Sequence, residues 1–387
     1  MTSYDVVIAG GGLTGLATAY FLLSNSDFSG TLAVVEPDPS YRQAATPRSA
    51  GGIRQQFSTP ENIRISQASL QFMREAHRHL RVADDIPHIA FHERGYLFLG
   101  TDADRLRELA LLQNQHGART EFLSPAVVAA SFPWLAVQEI AGANFGPNGE
   151  GWLDPHALLM AFRAKVRALG AHFLTDRVAT LEISGQRIEH VSLESGARLA
   201  TGALVNQSGI AAWRIAELAG VDLPVRARKR CVFTFACATA LPAMPLCVAP
   251  DGTWWRPEGA SYLCGGTPPL DEEDESDEVD HALFEERLWP TLARYVPAFA
   301  TIKPGAAWAG HYDYNTFDCN VLIGPAPNCA NLYFANGFSG HGFQQAPAIG
   351  RAVAELIVYG AYRTLDLRRL GYERYLKKVP LAERHVV

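Results

Sequence analysis

The first chemistry legible in the chain sits near its start, in Gly10-Gly11-Gly12-Leu13-Thr14-Gly15. An apolar run from Tyr4 to Ala9, of strand length, leads into these glycines, and Leu13 to Leu23 follow with helical periodicity. In such a strand-turn-helix unit, Gly10 makes the tight turn, Gly12 lets the backbone approach a pyrophosphate, and Gly15 lets the helix pack on the strand. The helix N-terminus then faces the phosphates with free amides and a positive dipole end. Thr31 to Val35 reads as the next strand and ends at Glu36, placed to accept hydrogen bonds from the ribose hydroxyls of an adenosine. The competing reading is a glycine turn with a purely structural purpose. FAD and NAD share this fingerprint, so the motif alone does not choose between them.

The elements that must position this turn are spread along the whole chain. Glu61 to Leu80 reads as helix, Gly95 to Leu99 as strand, Asp104 to His116 as helix and Asp154 to Leu169 as an amphipathic helix ending at Gly170. Ala171 to Asn206 alternates as short strands and turns; Ala203 to Val205 ends a buried strand that enters a turn over Asn206 to Gly209. Arg230 to Ala236 and Tyr262 to Thr267 read as strands of a second sheet. Pro347 is placed in the first turn of a last helix, Ala348 to Val358, where proline is tolerated.

With 387 residues, 48% apolar and 19% charged, the chain has material for two domains and an ample core. Lys and Arg total 34 against 40 Asp and Glu, a net charge of -6, which argues against nucleic acid as a partner. Eight of those acids lie between Asp271 and Asp280, and without them the balance is -6 + 8 = +2. Such a run reads as a solvated loop, with an acidic docking segment as the alternative. The longest apolar stretch, Val6 to Leu23, contains four glycines and reads as strand, turn and helix rather than as a transmembrane segment. The first strand begins almost at the initiating Met, so a cytoplasmic protein, or one peripheral at the inner membrane, is expected. None of the six cysteines has metal-site or dithiol spacing, and reduced structural thiols with no metal are expected.

Towards the C-terminus, Gly337-Phe338-Ser339-Gly340-His341-Gly342-Phe343 precedes the last helix, and Asp318 to Gly324 precedes that by a strand and a turn. With the N-terminal fingerprint these resemble the D-amino-acid-oxidase-like flavoproteins, among them sarcosine and glycine oxidases and dimethylglycine dehydrogenase. Within that superfamily, Ser49 to Ile63, Glu150 to Pro155, Arg228 to Phe233, Trp308 to Asp318 and Gly337 to Glu355 resemble the FAD-dependent oxidoreductase domain-containing protein 1 family. Its mitochondrial members are linked to assembly of respiratory complex I.

The resemblance implies an α/β fold: a discontinuous Rossmann-like FAD domain (1–86, 149–222 and 304–387) with an inserted α+β substrate domain on an antiparallel sheet (87–148 and 223–303). It carries FAD contacts to Gly10, Gly12, Leu13, Thr14, Gly15, Glu36, Pro37, Ser49, Gly51, Gly52, Val178 and Gly209, and to Gly337, Ser339, Gly340, His341, Gly342, Phe343 and Gln344. A glycine-rich loop at a helix N-terminus suits the negative charge on N1 and O2 of reduced flavin; the alternative is a tight turn only. The two covalent-attachment positions of relatives correspond to His311 and Arg48, and Cys319 is displaced from the first, so non-covalent FAD is implied.

At the substrate end, the arginine that holds a carboxylate in amino-acid-oxidising relatives is replaced by Tyr312, and the loop lysine of sarcosine oxidase by Gln344. Arg54 is a candidate carboxylate anchor, with a structural ion pair as its alternative, and Arg256 is a second, with a surface arginine as its alternative. His341, Tyr312 and Tyr314 are candidate proton handlers or cavity walls. Leu263 takes the position of the lysine that promotes reaction with oxygen in sarcosine oxidase, which points to a dehydrogenase with an electron acceptor other than oxygen. The implied activity is oxidation of a small amine or N-alkyl amino acid by hydride transfer to flavin N5. The alternative is a flavin-containing assembly factor whose partner is a respiratory-chain subunit.

Overall fold

The computed structural model describes residues 2–385. Strand Thr2–Ala9 runs parallel to Leu32–Val35 on one side and to Arg198–Asn206 on the other. Cys329–Asn336 and His172–Leu174 extend this parallel core, and Leu322–Ala326 adds an antiparallel edge. Val6, Val7, Ile8 and Ala9 are all buried because the sheet is covered on both faces, which is why the strand reads as a continuous apolar run. Helices Leu13–Leu23, Pro155–Ala168 and Gly342–Tyr359 pack on one face. The hairpin Val178–Ser184 and Arg187–Leu193, with helix Ala212–Leu218, covers the other.

The second sheet is mainly antiparallel, in the order Ile302–Asn315, Val225–Cys237, Ser261–Gly265, Trp254–Glu258, Leu246–Val248, Tyr96–Gly100, Gly142–Gly146 and Glu121–Leu123. One face buries an aromatic core against helix Trp289–Tyr295. The opposite face carries Tyr96, Val232, Leu246 and Trp254. This is the expected pairing of a doubly covered α/β sheet with a second, antiparallel one.

Four local features differ from expectation. The helix expected over Glu61 to Leu80 is two, Pro60–Arg74 and Ala76–His79, separated at Glu75. The last helix begins at Gly342, so the glycine loop feeds it directly and Pro347 lies in its interior, where it has no N–H to give the Phe343 carbonyl. The domain boundary expected at residue 304 cuts the long strand Ile302–Asn315, which pairs along its length with Val225–Cys237, so residues 304–315 stand in the second sheet. The acidic run 271–280 is an exposed loop, as expected, but it does not hang free. It is pinned to the basic strand beneath it through Lys229–Asp274 and Arg230–Asp271, and to Arg48 and Arg214 through Asp277 and Glu275.

Candidate functional site

A cavity of about 720 Å³ runs from the first βα turn, past the 337–342 loop, to the face of the second sheet. The three glycines of the turn stand in three different surroundings. Gly10 has φ +104°, and a Cβ there would stand 2.2 Å from the Gln207 carbonyl oxygen; a Cβ at Gly15 would stand 2.0 Å from the Gly10 carbonyl. Around Gly12 nothing lies within 4 Å of an added Cβ, so the space it leaves opens into the cavity. Gly12 caps helix Leu13–Leu23 with no side-chain acceptor, leaving the first-turn amides for a ligand. Glu36 also lines the cavity, its carboxylate accepting from Gly11 N (2.8 Å) and Asp38 N (3.0 Å); burial raises its pKa against these bonds.

The 337–342 loop is registered on strand Ile302–Asn315. Asp313 accepts from Gly337 N at 2.8 Å, its backbone oxygen accepts from Ser339 N, and Ser339 Oγ accepts from Asn315 N. Burial pushes the Asp313 carboxyl up to about 6 despite the loop amides around it. Helix Gly342–Tyr359 again has no side-chain cap, so its first amides are open where the helix meets the cavity. Buried polar atoms on the cavity wall also lack partners: both amide atoms of Asn336, and Oε1 of Gln207. Two uncapped helix N-termini, an open Gly12 and orphaned amides are what an elongated, doubly phosphorylated dinucleotide such as FAD would complete.

Leu13, Thr14, Pro37, Ser49, Gly52, Val178, Gly209, Gly340, His341, Gly342, Phe343 and Gln344 line the same cavity, as do Arg54 and Tyr312. Six expected residues stand outside its wall. Gly15 and Gly51 are close-packing positions, the latter at φ +72° beside the Leu153 carbonyl. Gly337 and Ser339 brace the loop from behind. Tyr314 turns its hydroxyl to Cys319 Sγ at 3.0 Å. Arg256 is buried rather than on the surface, held by the Ala50 and Pro257 carbonyls and Glu258. Leu263 is also off the wall, packed in the apolar cluster of Val232, Leu246 and Trp254.

Arg54 is buried, its guanidinium donating to the backbone oxygens of Gln56 and His385, with His341 Nε2 at 3.2 Å. The plane lies over Phe57, 4.1 Å from the ring centroid. Burial, then the Arg54 charge, lowers the His341 pKa, so the imidazole is neutral and suited to accept from Arg54. Segment 381–385 is anchored by Glu383, whose carboxylate accepts from the backbone N and hydroxyl of both Ser58 and Thr59, at the N-terminus of helix Pro60–Arg74. At the attachment positions, His311 Nε2 lies 2.9 Å from the Ser276 carbonyl and Arg48 pairs with Asp277.

Sequence reading passed over Tyr96, Trp254 and Arg230 on the wall, and Asn336 beside the loop. Arg230 lies in the family-like segment Arg228 to Phe233, where an arginine at an inward strand position is the available signal. Asn336 immediately precedes the loop and had none.

A profile of the family described as DAO, FAD dependent oxidoreductase, matches residues 5–356. The chain is 40% identical to the FAD-dependent oxidoreductase domain-containing protein 1 of Xenopus laevis, over 99% of this chain and 85% of that protein. Its fold superposes on L-proline dehydrogenase from P. horikoshii with a TM-score of 0.87 and 25% identity, covering 97% of this chain and 98% of that one. Glycine oxidase from Geobacillus kaustophilus gives 0.83 and 23%, covering 96% and 98%.

Proposed function

Because the chain belongs to the FAD-dependent oxidoreductase family, with FAD as its cofactor, we propose that it oxidises a small amine or N-alkyl amino acid and works as a dehydrogenase. Bound FAD supplies the hydride acceptor. The observation that carries the reading is the continuity of one cavity from the Gly12 cradle to a compact wall of Tyr96, Trp254, Tyr312 and Arg54. The first turn, Glu36 and residues 340–344 would hold the cofactor, with Gly340 packed against the Tyr312 ring. Tyr96, Leu246 and Trp254 exclude water from the reacting carbon, and Tyr312 shapes the space in which the amine is aimed. Neutral His341 orients Arg54 and moves no proton.

Dehydrogenase rather than oxidase is supported by the absence of lysine among the described residues of the wall, by the apolar packing of Leu263, and by the dehydrogenase named among the structural relatives. Electrons would pass to a quinone, a carrier flavoprotein or another acceptor. The alternative, an assembly factor for a respiratory-chain complex with little turnover, draws on Arg54, whose guanidinium its own chain already engages. An anaerobic screen of amines and N-methyl amino acids, read by loss of flavin absorbance, separates them. Bleaching by at least one amine, with slow reoxidation on stopped-flow mixing with oxygen, is expected. A flavin that no amine reduces refutes the enzyme reading, and reoxidation as fast as an oxidase's refutes the dehydrogenase.

A further inference from the structure

We propose that Arg230 is the side chain that holds the carboxylate of the substrate, and that Asp271 of the acidic strap occupies its guanidinium until the substrate displaces it. The proposal rests on the amine-oxidation reading above. Arg230 stands on the cavity wall, its side chain only 8% exposed, 5.0 Å from the centroid of the Tyr312 ring. Its fork already grips a carboxylate: Nη1 and Nη2 donate to the two oxygens of Asp271 at 2.7 and 2.9 Å. Nη1 also donates to the Lys229 carbonyl, which fixes the plane, while Nε is buried with no partner. That geometry is the bidentate one by which arginine recognises carboxylates.

Arg54 reaches the same end of the cavity, but its acceptors are two backbone oxygens and a buried imidazole, none of which a ligand can readily displace. Asp271 is different. It belongs to an outer strap and has a second cation within reach, Arg228, whose Nε lies 3.8 Å from Oδ1 and is itself buried without a hydrogen-bond partner. Asp271 can therefore move from Arg230 to Arg228 and remain paired, so an incoming carboxylate meets a cation that is held in place and exchangeable. The substrate class that follows is a small amine carrying a carboxylate, in preference to an uncharged amine of the same size.

The probe is methylthioacetate, an unoxidisable thioether carboxylate with the shape of N-methylglycine, with methylthioacetamide as its uncharged counterpart. Binding to the FAD-loaded protein is read as a shift in the flavin spectrum. Wild-type protein is expected to bind the carboxylate and not the amide. Arg230→Gln should raise its Kd at least about 10-fold at full flavin content, with Arg230→Lys intermediate because it keeps charge and loses the fork. If Arg230→Gln does not retain FAD, Arg230→Lys carries the test. Asp271→Asn should lower the Kd severalfold. Unchanged Kd in the flavin-loaded arginine variants, or Asp271→Asn weakening binding as much as Arg230→Gln, overturns the proposal. If the wild-type flavin responds to uncharged amines but neither to the probe nor to any carboxylate-bearing amine, this proposal fails while amine oxidation stands; if no amine of either kind reduces it, the amine-oxidation reading fails and this proposal with it.

Discussion

Replacing Gly12 by valine tests the cofactor cradle without testing the fold. Gly12 has φ -66° and ψ -179°, extended backbone that any residue adopts, and an added Cβ meets no atom within 4 Å. The apo-protein should therefore fold. Valine is a poorer N-cap than glycine by about 1 kcal/mol, and restriction of the unfolded chain returns about 0.4 to 1 kcal/mol. Net stability should thus move by less than about 1 kcal/mol. The branched side chain would fill the space through which phosphate oxygens reach the first-turn amides. Two charge-assisted hydrogen bonds lost there, at about 1.5 to 3 kcal/mol each, amount to roughly 3 to 6 kcal/mol, or about 10² to 10⁴ in Kd for FAD. The assay is flavin content after gel filtration, with melting curves recorded with and without added FAD. Gly15→Ala is the contrast: its Cβ would lie 2.0 Å from the Gly10 carbonyl, so it should impair folding itself. A folded Gly12→Val protein with a full complement of FAD would refute the reasoning.

Acid precipitation of the yellow protein should release all flavin as FAD, since Arg48 and the Ser276-bonded His311 stand at the attachment positions; fluorescence remaining with the denatured chain would contradict this. Arg54→Ala should lower the unfolding free energy by about 3 kcal/mol or more, because it leaves the buried Gln56 carbonyl, the part-buried His385 carbonyl and the His341 nitrogen without a donor; an unchanged urea midpoint would show that these contacts contribute nothing. Glu150 is buried behind Arg54, and burial raises its pKa to about 8 against the donors Gln55 N and Gln56 Nε2. The folded protein then binds a proton more tightly than the unfolded chain, so this group makes stability fall as pH rises from about 4.5 to 8. Glu150→Gln should flatten that slope in urea unfolding at pH 5 and pH 8, and an identical slope in both proteins would count against it.

What the sequence determined by itself was whatever depends on short-range geometry. The tasks of Gly10, Gly12 and Gly15 follow from spacing in a strand-turn-helix unit, because three residues within six positions see the same backbone wherever the unit is placed. The glycine loop before the last helix was legible for the same reason. Tertiary structure decided everything that depends on which strand neighbours which. Arg256 and Arg230 both stand on strands of the second sheet, yet one is consumed by the Ala50 and Pro257 carbonyls behind the wall and the other faces the cavity. The same holds for the acidic run, which by composition alone reads as solvated. It becomes a strap because pairing of Val225–Cys237 with Ile302–Asn315 raises a row of cations beneath it, and charge complementarity between residues more than 40 positions apart, such as Arg230 and Asp271 at 41, is invisible to local pattern.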